Sequence, residues 1–140
     1  MTRRNPANLQ KSDFETLSEF RYQMRRFERF SEDAVQAEGI TALQYLLLLH
    51  IKGFPGKQWA AVGELAVRLQ AKPHGVVALV SRCEALGLVA RVASTSDRRQ
   101  IEVHLLPAGE TVLAKLAAMH RSELASLSGI FTVPVIADEA

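Results

Sequence analysis

The chain has 140 residues, 48% hydrophobic and 23% charged, which suits a folded domain with a real core and excludes a disordered chain. Its net charge is only +2, but residues 41–106 carry eight basic residues against four acidic, and residues 107–140 carry two against four. A single cysteine, Cys83, excludes an intrachain disulfide and a cysteine zinc cluster.

The first six residues, Met1 to Pro6, lack an apolar signal core. Ser12, with Glu15 three residues on, reads as the capping box of a long helix. Phe14, Leu17, Phe20, Met24, Phe27 and Ala34 form its apolar stripe, and Gly39 ends it. Thr41 caps a second helix. Leu43, Leu46, Leu47 and Ile51 give it apolar residues on most sides, so it is expected at the centre. This most apolar run, Ala42 to Ile51, is far short of the roughly 20 residues of a membrane span, so a cytoplasmic protein with no membrane segment is expected. Gly53-Phe54-Pro55-Gly56 stops the helix.

Val62, Leu65, Ala66 and Leu69 make the stripe of a third helix, and Gln70-Ala71-Lys72 forms a turn. Pro73 suits the first position of a fourth helix, where its missing N–H costs nothing. That helix turns Val76, Leu79, Val80, Cys83 and Leu86 inward, and Gly87 closes it. Leu88–Val92 reads as a strand. Residues 100–105 alternate as a second strand, with Ile101, Val103 and Leu105 on the core side. From Pro107 a last long helix carries Leu113, Leu116, Ala117, His120, Leu124 and Leu127 on one stripe. The fold class is therefore mainly α with a small β-wing. A winged helix-turn-helix lobe is flanked by long terminal helices whose apolar stripes suit a dimer.

This order of elements carries specific words. Gly63-Glu64-Leu65-Ala66 opens the motif, Leu86-Gly87-Leu88-Val89 leads into the wing, Asp97-Arg98-Arg99 marks its tip, and Leu105-Leu106-Pro107-Ala108-Gly109-Glu110 starts the last helix. Over roughly residues 12–128 the chain resembles the MarR family of bacterial transcription regulators. The resemblance implies one domain over residues 1–140. Residues 12–38 and 107–128 would be dimerisation helices and residues 41–106 the DNA-binding lobe. It further implies a homodimer, two-fold related half-sites on double-stranded DNA, and often control by a small molecule or by redox chemistry. Leu106 stands where that pattern puts a capping threonine, and only residues 130–140 follow Gly129, where the pattern has a further helix.

The outward face of the fourth helix holds His74, Val77, Ala78, Ser81, Arg82 and Ala85. His74, Ser81 and Arg82 can hydrogen-bond to bases, whereas Val77 and Ala78 can only touch a thymine methyl. Gly75, beside Pro73, allows close approach to phosphate at free N–H groups of the helix start. Arg98 and Arg99 at the hairpin tip suit a narrow minor groove. One is expected there, and the other paired with Asp97 or another acid. Lys72 and Arg91 are expected at phosphates. Cys83 lies on the apolar stripe, where a small hydrophobe fits, rather than at an exposed, activated position suited to redox sensing.

The four histidines, His50, His74, His104 and His120, have no metal-ligand spacing, so neither metal nor cofactor is expected. No nucleophile–base pair, paired carboxylates or phosphate loop points to an enzyme. A small-molecule effector site, should the chain take one, is expected where the long helices meet the lobe, with Arg26, Phe27, Phe30, Tyr45, His50 and Trp59 as lining groups. The resulting reading is a sequence-specific DNA-binding regulator, a homodimeric repressor relieved by a small ligand. The alternative is a winged-helix protein-interaction module that has lost DNA binding.

Overall fold

The structure, a computed structural model, describes residues 8–136. The segment Met1 to Pro6 read for a signal core lies outside them, as do the last four residues. The elements run α1 (Lys11–Ala37), α2 (Ala42–Lys52), β1 (Ala60–Ala61), α3 (Val62–Leu69), α4 (Pro73–Ala85), β2 (Val89–Ala93), β3 (Ile101–Leu105) and α5 (Pro107–Ser126). Among the described residues they form five helices around a small antiparallel sheet, a winged-helix arrangement.

Local chemistry sets most of the boundaries. The Gln44 N–H donates to Thr41 Oγ1 at 3.1 Å, and the Thr41 N–H donates to Gln44 Oε1 at 2.9 Å, a reciprocal cap on α2. Pro73 and Pro107 open α4 and α5. Gly39 and Gly87, with φ +79° and +73°, take the left-handed turns after α1 and α4. The expected Ser12 cap on α1 is corrected. Helix α1 starts two residues earlier, because the Asp13 carboxylate accepts the Gln10 N–H at 2.8 Å and Ser12 is already inside the first turn. Leu106 flanks α5 without a side-chain cap; its N–H donates to the Leu88 carbonyl instead, at 2.9 Å.

The sheet order is β1-β3-β2. Strand β1, two alanines paired with Val103 and Glu102, was not expected, since two residues carry no alternation to read. The core gathers Leu47, Leu48 and Ile51 of α2, Leu65 of α3, Val76, Val80 and Cys83 of α4, Val89 and Val103 of the sheet, and Leu113 and Leu116 of α5. Each large side chain among these contributes about 1.5–3 kcal/mol by leaving water. Helix α2 lies at the centre, as expected, although its Leu43 and Leu46 face outward.

Two inward assignments are corrected. Leu86 is exposed, because it sits past the last turn that α4 packs. Leu105 is half-buried and packs against the core, as expected. Ile101 is 46% exposed, because the hairpin projects beyond the edge of the core. Only Val103 of the three strand positions is fully buried.

Helix α1 buries only Gln23, Ala34 and Val35. Phe14 is 54% exposed and Leu17 41%; on α5, Leu124 is 51% exposed. After α5 the chain folds back, and Phe131 stacks on Phe20 with ring centres 5.5 Å apart. Among the described residues no helix is long and apolar enough to cross a membrane.

Candidate nucleic-acid interface

Helix α4 presents one buried and one open face. Val76, Val80 and Cys83 anchor it, while His74, Gly75, Val77, Ala78, Ser81 and Arg82 are all exposed. Burial pushes the Cys83 thiol up to about 11, so this cysteine is a core residue held in its protonated form. At the start of α4 the expected row of free N–H groups shrinks to two. Pro73 has none, and Gly75 and Val76 donate to the Lys72 carbonyl at 3.0 and 3.1 Å, leaving Lys72 and His74. The open space over Gly75 is as expected: nothing lies within 4 Å of where a Cβ would stand.

The wing tip is held by its own backbone. Ser94 Oγ accepts the N–H groups of Ser96 and Asp97 at 3.3 and 3.2 Å, and the Gln100 N–H donates to the Asp97 carbonyl at 3.1 Å. The expected pairing of one arginine with Asp97 is corrected. Asp97 Oδ1 instead accepts the Arg99 backbone N–H at 2.9 Å, which closes the turn, and both guanidinium groups are exposed. Val77 of α4 lines one open hollow with Asp97, Arg99, Gln100 and Ile101, so the outward face of α4 and the wing tip look onto the same space.

Ion pairing divides the basic residues of the lobe. Lys52 pairs with Glu110, Lys57 with Glu64 and Arg91 with Glu84. Arg68, Lys72, Arg82, Arg98 and Arg99 pair with no carboxylate among the described residues. Four of these five lie on α4, the turn before it, or the wing. Burial works against the Glu64 carboxylate, but the Lys57 bond, the Ala61 N–H and the Lys57 charge outweigh it and hold it below its ordinary value.

The six residues expected at a small-molecule site part company. Phe27 and Tyr45 line a mostly apolar cavity of about 380 Å³ between α1, α2 and α5, with Ser31, Leu49 and Leu124. Phe30 stands edge-on to the neighbouring His120 ring, 5.6 Å away. Arg26 instead lies over Tyr22, and Trp59 stacks on His104 with Lys57 above it. His50 is half-buried, and burial together with the nearby Arg68 charge lowers its pKa.

The sequence reading missed His120 as a cavity residue and saw it only as part of a stripe. The Leu116 carbonyl can only accept, so Nδ1 donates to it at 2.7 Å, and in the neutral ring Nε2 accepts from Ser31 Oγ at 2.8 Å. Tyr45 stacks on the same ring at 4.7 Å, and burial raises its phenol. Among the described residues no cluster of three or more His, Cys, Asp or Glu could hold a metal ion.

The sequence model of the MarR family matches residues 38–100, which span α2 through the wing turn. Over those residues the chain follows the MarR-family pattern. A protein of Thauera aromatica proposed to regulate transcription of the hcr operon is 32% identical over 96 residues, 69% of this chain and 56% of that protein. The transcriptional repressor MdtR of Bacillus subtilis is 27% identical over 100 residues, 71% of this chain and 63% of MdtR. The chain thus spans less than two thirds of the length of these relatives, which are described as transcription regulators and not as enzymes.

Two solved structures share the fold. The MarR-family regulator AbsC of Streptomyces coelicolor superposes with a TM-score of 0.76 at 21% identity, over 95% of this chain and 86% of AbsC. A variant of MepR from Staphylococcus aureus bound to an oligodeoxyribonucleotide superposes with a TM-score of 0.66 at 17% identity, over 79% of each chain.

Proposed function

We propose that this chain is a cytoplasmic, homodimeric MarR-family regulator of transcription that binds double-stranded DNA and acts as a repressor. The observation that carries the reading is the placement of unpaired charge. Among the described residues Lys72, Arg82, Arg98 and Arg99 pair with no carboxylate, and they lie on α4, the turn before it, or the wing. Cations left unpaired on one surface of a lobe suit the regular charge of a phosphate backbone.

In this reading α4 enters the major groove with His74, Val77, Ala78, Ser81 and Arg82, and the wing reaches the adjacent minor groove with Arg98 or Arg99. Pro73 and Gly75 let the helix start approach the backbone closely. Residues 1–140 act as one domain, with 41–106 as the DNA lobe and 12–38 and 107–128 as the dimerisation helices. The exposed Phe14, Leu17 and Leu124 are the surface a second copy covers.

The cavity beside Tyr45 and His120 touches both the long helices and α2, the helix at the centre of the lobe. A small apolar effector seated there would favour one spacing of the two lobes over another and so relieve repression.

The test is titration of the chain with a duplex from its own upstream region and with a random duplex, across a salt series. Tight binding to the first and weaker, steeply salt-dependent binding to the second is expected. Failure to bind either duplex would favour the protein-interaction module that the apolar start of α4 also fits. Light scattering at micromolar concentration should give the mass of a dimer; a monomer would count against the assembly.

A further inference from the structure

One basic residue of the lobe is turned inward. Arg91 stands on β2 opposite Val103, on the same strand face as the buried Val89. A charge on that face needs partners, and helix α4 supplies them. The guanidinium Nη1 donates to Glu84 Oε1 at 2.9 Å. Its Nη2 donates to Ser81 Oγ at 2.7 Å and to the Val77 carbonyl at 3.0 Å.

The other Glu84 oxygen accepts the Arg91 backbone N–H at 3.1 Å. That N–H faces the open edge of the sheet. The Ser94 and Leu106 N–H groups donate to Gln100 and Leu88 across the ladder, so the even-numbered residues of β2 bond to β3 and Arg91 does not. Glu84 therefore closes an edge position and holds the arginine fork at once.

Val77 and Ser81 belong to the outward face of α4, and Arg91 belongs to the root of the wing. We propose that Arg91 and Glu84 are positioning residues that set the spacing of α4 and the wing tip, and so govern sequence selectivity without contacting phosphate. The inference rests on the DNA-binding reading of the preceding section. Both Nη2 hydrogens are committed, the charge is matched by Glu84, and the Arg91 side chain is only 26% exposed. A planar fork meeting three fixed acceptors transmits geometry in a way that a lysine, with one rotating ammonium, cannot. A partly exposed ion pair adds little to overall stability, so its removal should loosen the wing without unfolding the lobe.

Glu84→Ala separates the two roles. A phosphate-contacting Arg91 would bind every duplex more tightly once the neighbouring carboxylate is gone. A positioning pair makes Glu84→Ala lose selectivity, lowering the ratio of specific to random binding by about tenfold, the equivalent of about 1.4 kcal/mol. Arg91→Ala and Arg91→Lys should lose it to a similar extent, with the salt slope on random duplex unchanged, and the double variant should be no worse than either single one.

A second readout needs no DNA. Hydrogen exchange at the Arg91 amide should quicken in Glu84→Ala while amides in α1 and α5 keep their wild-type rates. The proposal is overturned if Arg91→Lys keeps wild-type selectivity, if Arg91→Ala lowers the salt slope, or if the Arg91 amide is no less protected without Glu84. Failure of wild-type protein to bind the specific duplex would instead defeat the DNA-binding reading, and would leave the exchange experiment to decide on the brace.

Discussion

Replacing the wing arginines tests the two-groove arrangement with little risk to the fold. The turn is closed by Ser94 Oγ, the Asp97 carbonyl and the Asp97 carboxylate, all bonded to backbone N–H groups, and no arginine side chain takes part. Arg98→Ala and Arg99→Ala should therefore keep the wild-type melting temperature.

Each phosphate contact contributes about 0.9 to the slope of log affinity against log salt. In a two-fold dimer one substitution removes two contacts, so the slope falls by about 1.8. Between roughly 50 and 200 mM salt, the variant would then lose about tenfold less affinity than wild type loses, on any sequence. An arginine seated in the minor groove gives a different pattern: about 1–3 kcal/mol lost on the specific duplex, with selectivity relaxed at the base pairs under the wing. Fluorescence anisotropy with specific and random duplexes at four salt concentrations distinguishes the cases. If both variants stay dimeric and folded and bind both duplexes like wild type, the wing does not meet DNA.

Three further outcomes follow from the core. A Cβ at Gly109 would overlap the Leu88 carbonyl oxygen, so Gly109→Ala should cost about 1–3 kcal/mol in urea unfolding; Gly63→Ala, with open space around it, should cost nothing measurable. Cys83→Val should cost less than about 1.5 kcal/mol. With the thiol at about 11, native Cys83 should resist a thiol reagent at neutral pH; rapid labelling would contradict its place in the core. The lowered His50 pKa means that the unfolded chain binds the proton more readily. Its contribution to stability is thus complete above the ordinary histidine value and is lost as pH falls through the folded one. Urea midpoints of wild type should drop over that window, and His50→Gln should flatten the drop.

Helices with one buried face were legible in the sequence, because a 3.6-residue period and a cap chemistry agree. Thr41 caps α2 through Gln44, and Pro73 opens α4, as those patterns require. Periodicity names a face but not where the core stops. Ile101 and Val103 share one face of β3, yet only Val103 lies over the core. Strand β1 exists because β3 has a second edge to pair, a fact of topology that the two alanines do not carry.

The same limit divides the cavity residues. Phe27 and the adjacent Arg26 are about 100° apart on α1, so one turns to Tyr45 and the other to Tyr22. The partner of Arg91 was hidden for a different reason. Glu84 is seven residues away across a helix end and a turn, and no helix or strand period links the two.

If α4 reads DNA, the Arg91 contacts limit what it can say to a base. Ser81 Oγ donates its hydrogen to the Val77 carbonyl at 3.1 Å and accepts from Arg91, so one lone pair remains. It can accept from an exocyclic amine of adenine or cytosine but cannot donate to guanine or thymine. Arg82 and His74 are the remaining polar groups on that face, and Val77 and Ala78 between them offer only methyl contacts. Apolar readout should then be a substantial part of selectivity, and thymine methyl groups are its target. Replacing the thymines under α4 with uracil removes the methyl and alters no Watson–Crick hydrogen bond. Each lost contact should cost about 0.8 kcal/mol, so one per half-site weakens dimer binding by about tenfold. Val77→Ala should bring wild-type and uracil duplexes closer in affinity, because the surface that senses the methyl has been cut back. If uracil duplexes bind wild type as tightly as thymine duplexes, α4 does not read methyl groups, and selectivity must come from Arg82, the wing and DNA shape.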